Sequence, residues 1–224
     1  MPDARSRHAV RMSRFCQAGL YLVTSQSLSR GRSTVDIVRA ALAGGVRLIQ
    51  LREKELSARR FVELARTVRA LTAEAGALLI VNDRLDVALA VGADGVHLGQ
   101  DDLPVDEARR LAPDLVIGAS SHSVEEAAAA ERLGASYVNI GPLFATQTKA
   151  WGGEYLGLEG LRGISQAVGI PFTVMGGIKR EHIPSLVQAG ARTIALVTAV
   201  TAAENPERAA RELLQTIQDA IGSS

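Results

Sequence analysis

Several things are scarce in this chain, and each shortage excludes a class of protein. Cys16 is the single cysteine among 224 residues. No internal disulfide and no cysteine-based zinc cluster can form, which points to a reducing, cytoplasmic setting rather than secretion. No apolar run approaches the roughly 18 residues of a membrane span, so a soluble protein with no membrane partner is expected. A surplus of one charge is missing too. The 25 basic side chains face 24 acidic ones, a net of +1, and no global field recruits nucleic acid. An anionic ligand must therefore be held by a local site. Lysine is the rarest basic residue, present only as Lys54, Lys149 and Lys179 in a chain that otherwise uses arginine.

What is present is ordinary globular material, 47% hydrophobic and 22% charged, far from the signature of disorder. Residues 1–14 carry Arg5, Arg7, Arg11 and Arg14 against Asp3 and read as a flexible N-terminal arm rather than a signal peptide. Residues 15–224 read as one catalytic domain without a linker. Eight β-branched-rich runs recur in them, at Leu20 to Thr24, Arg47 to Leu51, Leu78 to Val81, Gly95 to Leu98, Leu115 to Ala119, Tyr137 to Gly141, Phe172 to Met175 and Thr193 to Val197. Between the runs the apolar period lengthens to about 3.6, the helical value. Ser57 and Gly76 bracket one helix, Ser123 and Glu126 form a capping box for another, and Asn205-Pro206 opens the last. Strands alternating with helices need crossover connections and hence parallel pairing. Eight such units in this length predict a single α/β domain, a (β/α)8 TIM barrel with parallel strands. A doubly wound open sheet is the alternative, but the turn after the first run holds only Gly31.

A barrel of this kind places its site at the C-terminal strand ends. There the second run exits through Gln50, Arg52 and Lys54, which share one face of an extended segment if Leu51 packs outward. An amide and two cations converging on one mouth call for an anion, such as a phosphate or diphosphate. The third run ends in Asn82 and Asp83, and the fourth is followed by Gly99, Gln100, Asp101 and Asp102. Each aspartate alone reads equally well as a helix N-cap. Together they suit Mg²⁺, which takes one or two carboxylates, waters and phosphate oxygens. After the sixth run Thr146, Thr148 and Lys149 lie in a loop able to hold phosphate. Gly176, Gly177, Val197 and Thr198 follow the last two runs, where barrels often build a phosphate site. His97 reads as a satisfied core histidine. His122 lies beside Ser120 and Ser121, but neither a nucleophile elbow nor a histidine-centred triad is visible.

These motifs resemble the thiamine-phosphate synthase family over nearly the whole barrel, from Tyr21 to about Thr201. The carriers are Gln50-Leu-Arg-Glu-Lys54, Val81-Asn-Asp83, Gly95-Val-His-Leu-Gly-Gln-Asp-Asp102, Gly118-Ala-Ser-Ser-His122, Gly141-Pro-Leu-Phe-Ala-Thr-Gln-Thr-Lys149 and Gly176-Gly-Ile178. The resemblance implies a Mg²⁺-dependent transferase that joins an aminopyrimidine methyl diphosphate to a thiazole phosphate, or its carboxylated form, with release of diphosphate. It implies that Gln50, Arg52, Lys54, Asn82 and Lys149 hold the pyrimidine diphosphate, with Ser120 near the departing group. Arg52, Ser120 and Lys149 would act in catalysis, and Asp83 and Asp102 would bind magnesium. Thr146, Thr148, Gly177, Val197 and Thr198 would meet the thiazole phosphate. Thr198 departs from the family's usual serine while keeping a hydroxyl. A thiazole tautomerase of the same fold, similar at His122, and a non-catalytic thiazole phosphate binder remain as alternatives. A homo-oligomer is left open.

Overall fold

A computed structural model describes residues 3–146 and 152–223. Eight strands form a closed barrel in chain order: β1 (Leu20–Val23), β2 (Leu48–Leu51), β3 (Leu78–Asn82), β4 (Gly95–Leu98), β5 (Val116–Ser121), β6 (Tyr137–Ile140), β7 (Phe172–Val174) and β8 (Thr193–Leu196). All neighbours are parallel, and β8 closes on β1 with Tyr21 opposite Ala195. Each lies within a residue or two of an apolar run. Strands buried on both faces read as continuous hydrophobic segments, which is why the runs stand out in the sequence.

Alternation along each strand divides the core into two layers. Leu20, Leu22, Ile49, Leu51, Leu79 and Val81 point outward onto the helices. Tyr21, Val23, Leu48, Leu78, Ile80 and Tyr137 fill the barrel interior. Gly118 makes room for the largest of these. A Cβ at that position would lie 2.1 Å from Cζ of Tyr137, closer than packed atoms approach.

The outer ring comprises α2 (Thr34–Ala43), α3 (Ala58–Glu74), α4 (Leu85–Val91), α5 (Val105–Leu111), α6 (Val124–Arg132), α7 (Gly157–Gln166), α8 (Ile183–Gln188), the short α9 (Thr198–Thr201) and α10 (Pro206–Gly222). Asn205 caps α10 by accepting the Arg208 N–H at 3.0 Å. Ser123 caps α6 through the Glu126 N–H, but the Glu126 carboxylate accepts from the His122 N–H at 2.7 Å, one residue before the expected box partner. Among the described residues no helix is long and apolar enough to cross a membrane.

The N-terminal segment differs from the flexible arm expected of it. Residues Ala4–Cys16 form a helix, α1, capped by Asp3, whose Oδ1 accepts the Ser6 N–H at 2.7 Å. Three of its four arginines find partners on the loops below the barrel. Arg7 and Arg11 donate to Asp114 at 2.7 and 3.0 Å, and Arg14 donates to the Gly76 carbonyl at 2.7 Å. Phe15 then plugs the barrel floor, its ring centroid 4.4 Å from that of Tyr137. Local charge counting missed this because the compensating acids are a hundred residues away in sequence.

A docked α1 predicts that Phe15→Ala costs about 3–5 kcal/mol of stability, the usual range for deleting a buried aromatic ring. Arg11→Ala should cost roughly 1–3 kcal/mol, as for lost hydrogen bonds to charged groups. Urea unfolding measures both. An Arg11→Ala variant as stable as the parent would mean that the helix is detached.

Candidate active site

A cavity of about 850 Å³ opens at the C-terminal ends of the strands. Its wall gathers Gln50, Arg52, Lys54, Asn82, Asp83 and Asp102 on one side. Ser120, Thr146, Gly177, Val197 and Thr198 line it as well. Thr148 and Lys149, also expected at the site, lie outside the described residues.

The second strand behaves as its pattern implied, with a shift in where it ends. Leu51 packs outward and Gln50 inward, while Arg52 and Lys54 fall in the loop beyond β2 yet still face the cavity. Glu53 explains how that loop is held, and sequence reading gave it no role. Its Oε1 accepts hydrogen bonds from the Thr24 and Thr34 hydroxyls at 2.9 and 2.7 Å, and its Oε2 accepts the Gln26 N–H at 2.9 Å. The Thr24 hydroxyl in turn accepts the Arg52 N–H at 2.9 Å. The loops after β1 and β2 are thereby tied together. The Arg52 guanidinium itself has neither a hydrogen bond nor an ion pair among the described residues. Among those residues it is a cation without a counter-ion at the rim of a cavity, which favours an anionic ligand.

The two aspartates are not helix caps. Arg84 and Pro104 occupy the N-cap positions of α4 and α5. Asp83 takes a φ of +61°, a left-handed conformation uncommon for aspartate, and its N–H donates to the His97 carbonyl at 2.8 Å. Burial raises the Asp83 pKa, and the neighbouring Asp102 carboxylate raises it further, against the pull of Lys54, whose Nζ is 3.4 Å away. Asp102 is anchored by accepting the Gly99 N–H at 2.6 Å. Two adjacent carboxylates provide hard oxygen donors of the kind that suit magnesium. Among the described residues no group of three or more potential metal-ligating His, Cys, Asp or Glu forms, so further ligands would come from water or from a bound phosphate.

On the opposite wall Gly177 has a φ of +62°, and a Cβ there would lie 2.3 Å from the Ala145 carbonyl oxygen. The space that glycine leaves is thus taken by the backbone that carries Thr146. The N–H groups of Gly177, Ile178, Thr198 and Ala199 donate to no partner among the described residues, and all four residues line the cavity. His97 is the satisfied core histidine expected, buried and bonded to Tyr137 and Ser120. His122 also lines the cavity and pairs with Glu126 at 2.9 Å. Asn139 was not foreseen. Its Oδ1 accepts the Thr173 hydroxyl proton at 2.7 Å on the cavity floor.

A closed parallel barrel whose mouth sets a guanidinium and an ammonium beside paired carboxylates belongs with the (β/α)8 enzymes that act on phosphorylated small molecules. Comparison with known proteins narrows this. The family model described as thiamine monophosphate synthase matches residues 20–200. A thiamine-phosphate synthase from Moorella thermoacetica is 48% identical over 207 residues, covering 92% of this chain and 99% of that protein. Another from Chloroflexus aurantiacus is 50% identical over 194 residues, covering 87% and 90%. Among solved structures, the thiamine phosphate pyrophosphorylase from Pyrococcus furiosus matches with a TM-score of 0.85 at 40% identity, covering 95% of this chain and 100% of that one. The chain belongs to the thiamine monophosphate synthase family.

The raised pKa of Asp83 has a consequence for stability. A carboxylate whose folded pKa is raised favours folding when protonated, and that contribution is lost as pH rises through the folded value. At neutral pH the Asp83 charge therefore costs stability. Asp83→Asn, with a residue that tolerates left-handed φ, should raise the melting temperature of metal-free protein by a few degrees. Added Mg²⁺ should stabilise the parent and leave the variant unmoved. Calorimetric melting at pH 7 decides this; equal Mg²⁺ shifts in both proteins would remove Asp83 from the metal site.

Proposed function

We propose that this chain is a thiamine-phosphate synthase that transfers the 4-amino-2-methylpyrimidin-5-ylmethyl group from its diphosphate to the nitrogen of 4-methyl-5-(2-phosphoethyl)thiazole, or its carboxylated form. The observation that supports the chemistry is the juxtaposition of Arg52 and Lys54 with the Asp83–Asp102 pair on one wall of the cavity. That wall suits a metal-complexed diphosphate, while the N–H groups of Gly177, Ile178, Thr198 and Ala199 across the cavity suit a monophosphate. Two pockets let both substrates be held at once, which turns a bimolecular encounter into a positioned step.

In this reading the methylene C–O bond breaks and its electron pair leaves with the diphosphate. The thiazole nitrogen lone pair then forms the new C–N bond to the pyrimidine methylene carbon; a carboxylated thiazole would also release its carboxylate as CO2, the C–C electron pair staying on the ring carbon, which takes up a proton from water. No side-chain nucleophile is needed. Arg52, Lys54 and Lys149 stabilise charge developing on the leaving diphosphate, which is the electrostatic contribution that usually dominates. Gln50 and Asn82 hold the pyrimidine portion and Ser120 meets the departing group. Thr146, Thr148, Val197 and Thr198 complete the thiazole phosphate pocket with Gly177. Asp83 and Asp102 would hold Mg²⁺. Bound there, Mg²⁺ would supply Lewis-acid neutralisation of the diphosphate oxygens. The exposed free thiol of Cys16 fits the reducing cytoplasm in which we place the protein.

Incubating purified protein with both substrates and Mg²⁺ should give thiamine phosphate and diphosphate in equal amounts. Arg52→Ala should lower kcat by on the order of 10²–10³, as removal of a charge-stabilising donor does. Absence of thiamine phosphate would overturn the assignment. Turnover that persists in excess chelator would overturn the magnesium requirement.

A further inference from the structure

A chain of hydrogen bonds crosses the barrel interior beneath the cavity and joins two of its residues. Gln50 Nε2 donates to the Tyr21 hydroxyl at 2.8 Å. Tyr21 and Tyr137 share a hydroxyl–hydroxyl bond of 2.9 Å. The Tyr137 oxygen is 2.9 Å from His97 Nδ1, and His97 Nε2 is 3.0 Å from Ser120 Oγ. Gln50 and Ser120 both line the cavity. Tyr21 and Tyr137 are fully buried, and His97 is nearly so. No side-chain polar atom buried among the described residues is left without a partner.

Proton bookkeeping allows this chain one direction in the structure. An amide nitrogen can only donate, so the Tyr21 oxygen accepts from Gln50 and sends its own proton to Tyr137. Tyr137 then has to donate to His97 Nδ1. An imidazole that accepts at Nδ1 is neutral and carries its proton at Nε2. That proton goes to Ser120 Oγ, so the Ser120 hydroxyl proton is free to point into the cavity. The reverse direction would leave the Tyr21 proton without an acceptor in a dry interior unless the Gln50 amide also turned over. The two cavity ends are therefore linked. When Gln50 presents its carbonyl oxygen to the cavity, Ser120 presents a proton.

We propose that Tyr21, Tyr137 and His97 are positioning residues that polarise this chain, so that an acceptor at Gln50 and a donor at Ser120 are offered together to a ligand that is amine-bearing at one end and anionic at the other. An aminopyrimidine diphosphate has that polarity, so the proposal rests on the function argued above and deepens it. A pyrimidinone analogue, with a carbonyl in place of the amine, would meet the wrong group at Gln50. Accommodating it would require reversal of every bond in the chain, and Ser120 would then turn a lone pair toward the diphosphate.

The test has an arm that does not depend on activity. Nitrogen-15 NMR of ligand-free protein should show His97 as a single neutral tautomer, protonated at Nε2 and not at Nδ1. Tyr137→Phe, which removes one oxygen, should lose that fixed tautomer and lower kcat by roughly tenfold, the lower end of the range for outer-sphere partners of functional groups, with KM little changed. In a Ser120→Ala background the same substitution should have no further effect on kcat, because the hydroxyl that it orients is gone. A Tyr137 that served packing alone would cost the same in both backgrounds. That additivity, or a His97 protonated at Nδ1 in the parent, would overturn the relay. If Tyr137→Phe does not fold, the tautomer measured in the parent still decides. A parent that makes no thiamine phosphate would instead overturn the function on which the proposal rests.

Discussion

Closing eight short parallel strands into a ring brings all of their C-terminal ends to one rim. The site follows from that geometry. The strands are only three to six residues long, so each supplies few inward positions. The lower ones are apolar and are sealed from below by Phe15 on α1. What remains above is a polar layer with Gln50, His97 and Asn139 among its members, and over it the loop residues of the mouth. Barrel closure thus explains why residues scattered from Gln50 to Thr198 share one cavity.

The mouth is electrostatically unfinished without ligands. The Arg52 guanidinium lacks a partner among the described residues, and the Asp83 carboxylate lies in a position where burial and Asp102 both oppose its charge. Its left-handed backbone adds local strain, which tends to persist where function requires it. A divalent cation would relieve the carboxylates, and a polyanion would satisfy the guanidinium. The charges that oppose one another at the rim are the ones that our reading gives to a magnesium–diphosphate complex. By contrast, the layer beneath is fully satisfied, each buried polar group spending its protons on the next. The result is a charged rim over a hydrogen-bonded floor.

Much of this was legible in the sequence. The strand positions could be read because doubly buried strands leave continuous apolar runs, and the mouth residues because parallel barrels concentrate function at one end of those runs. Three features escaped for physical reasons. The N-terminal helix depends on Asp114 and Gly76, partners too distant in sequence for local charge counting. Glu53 acts on loops that pattern reading places no closer than their lengths allow. Tyr21 and Tyr137 read as ordinary strand residues. Their signal was there in a weak form, since a tyrosine at an inward position must find a partner for its hydroxyl. Identifying that partner requires strand order and stagger, together with the gap that Gly118 leaves for the Tyr137 ring.

The central claim is that the cations and carboxylates at the rim form one site for a metal-complexed diphosphate. Titration calorimetry of inorganic diphosphate into the parent protein, with and without Mg²⁺, tests it most directly, alongside a variant carrying Asp83→Asn and Asp102→Asn. The account predicts binding by the parent that depends on Mg²⁺, and loss of that dependence in the double variant. Equal diphosphate affinity with and without Mg²⁺ in the parent, or an unchanged Mg²⁺ dependence in the double variant, would contradict it.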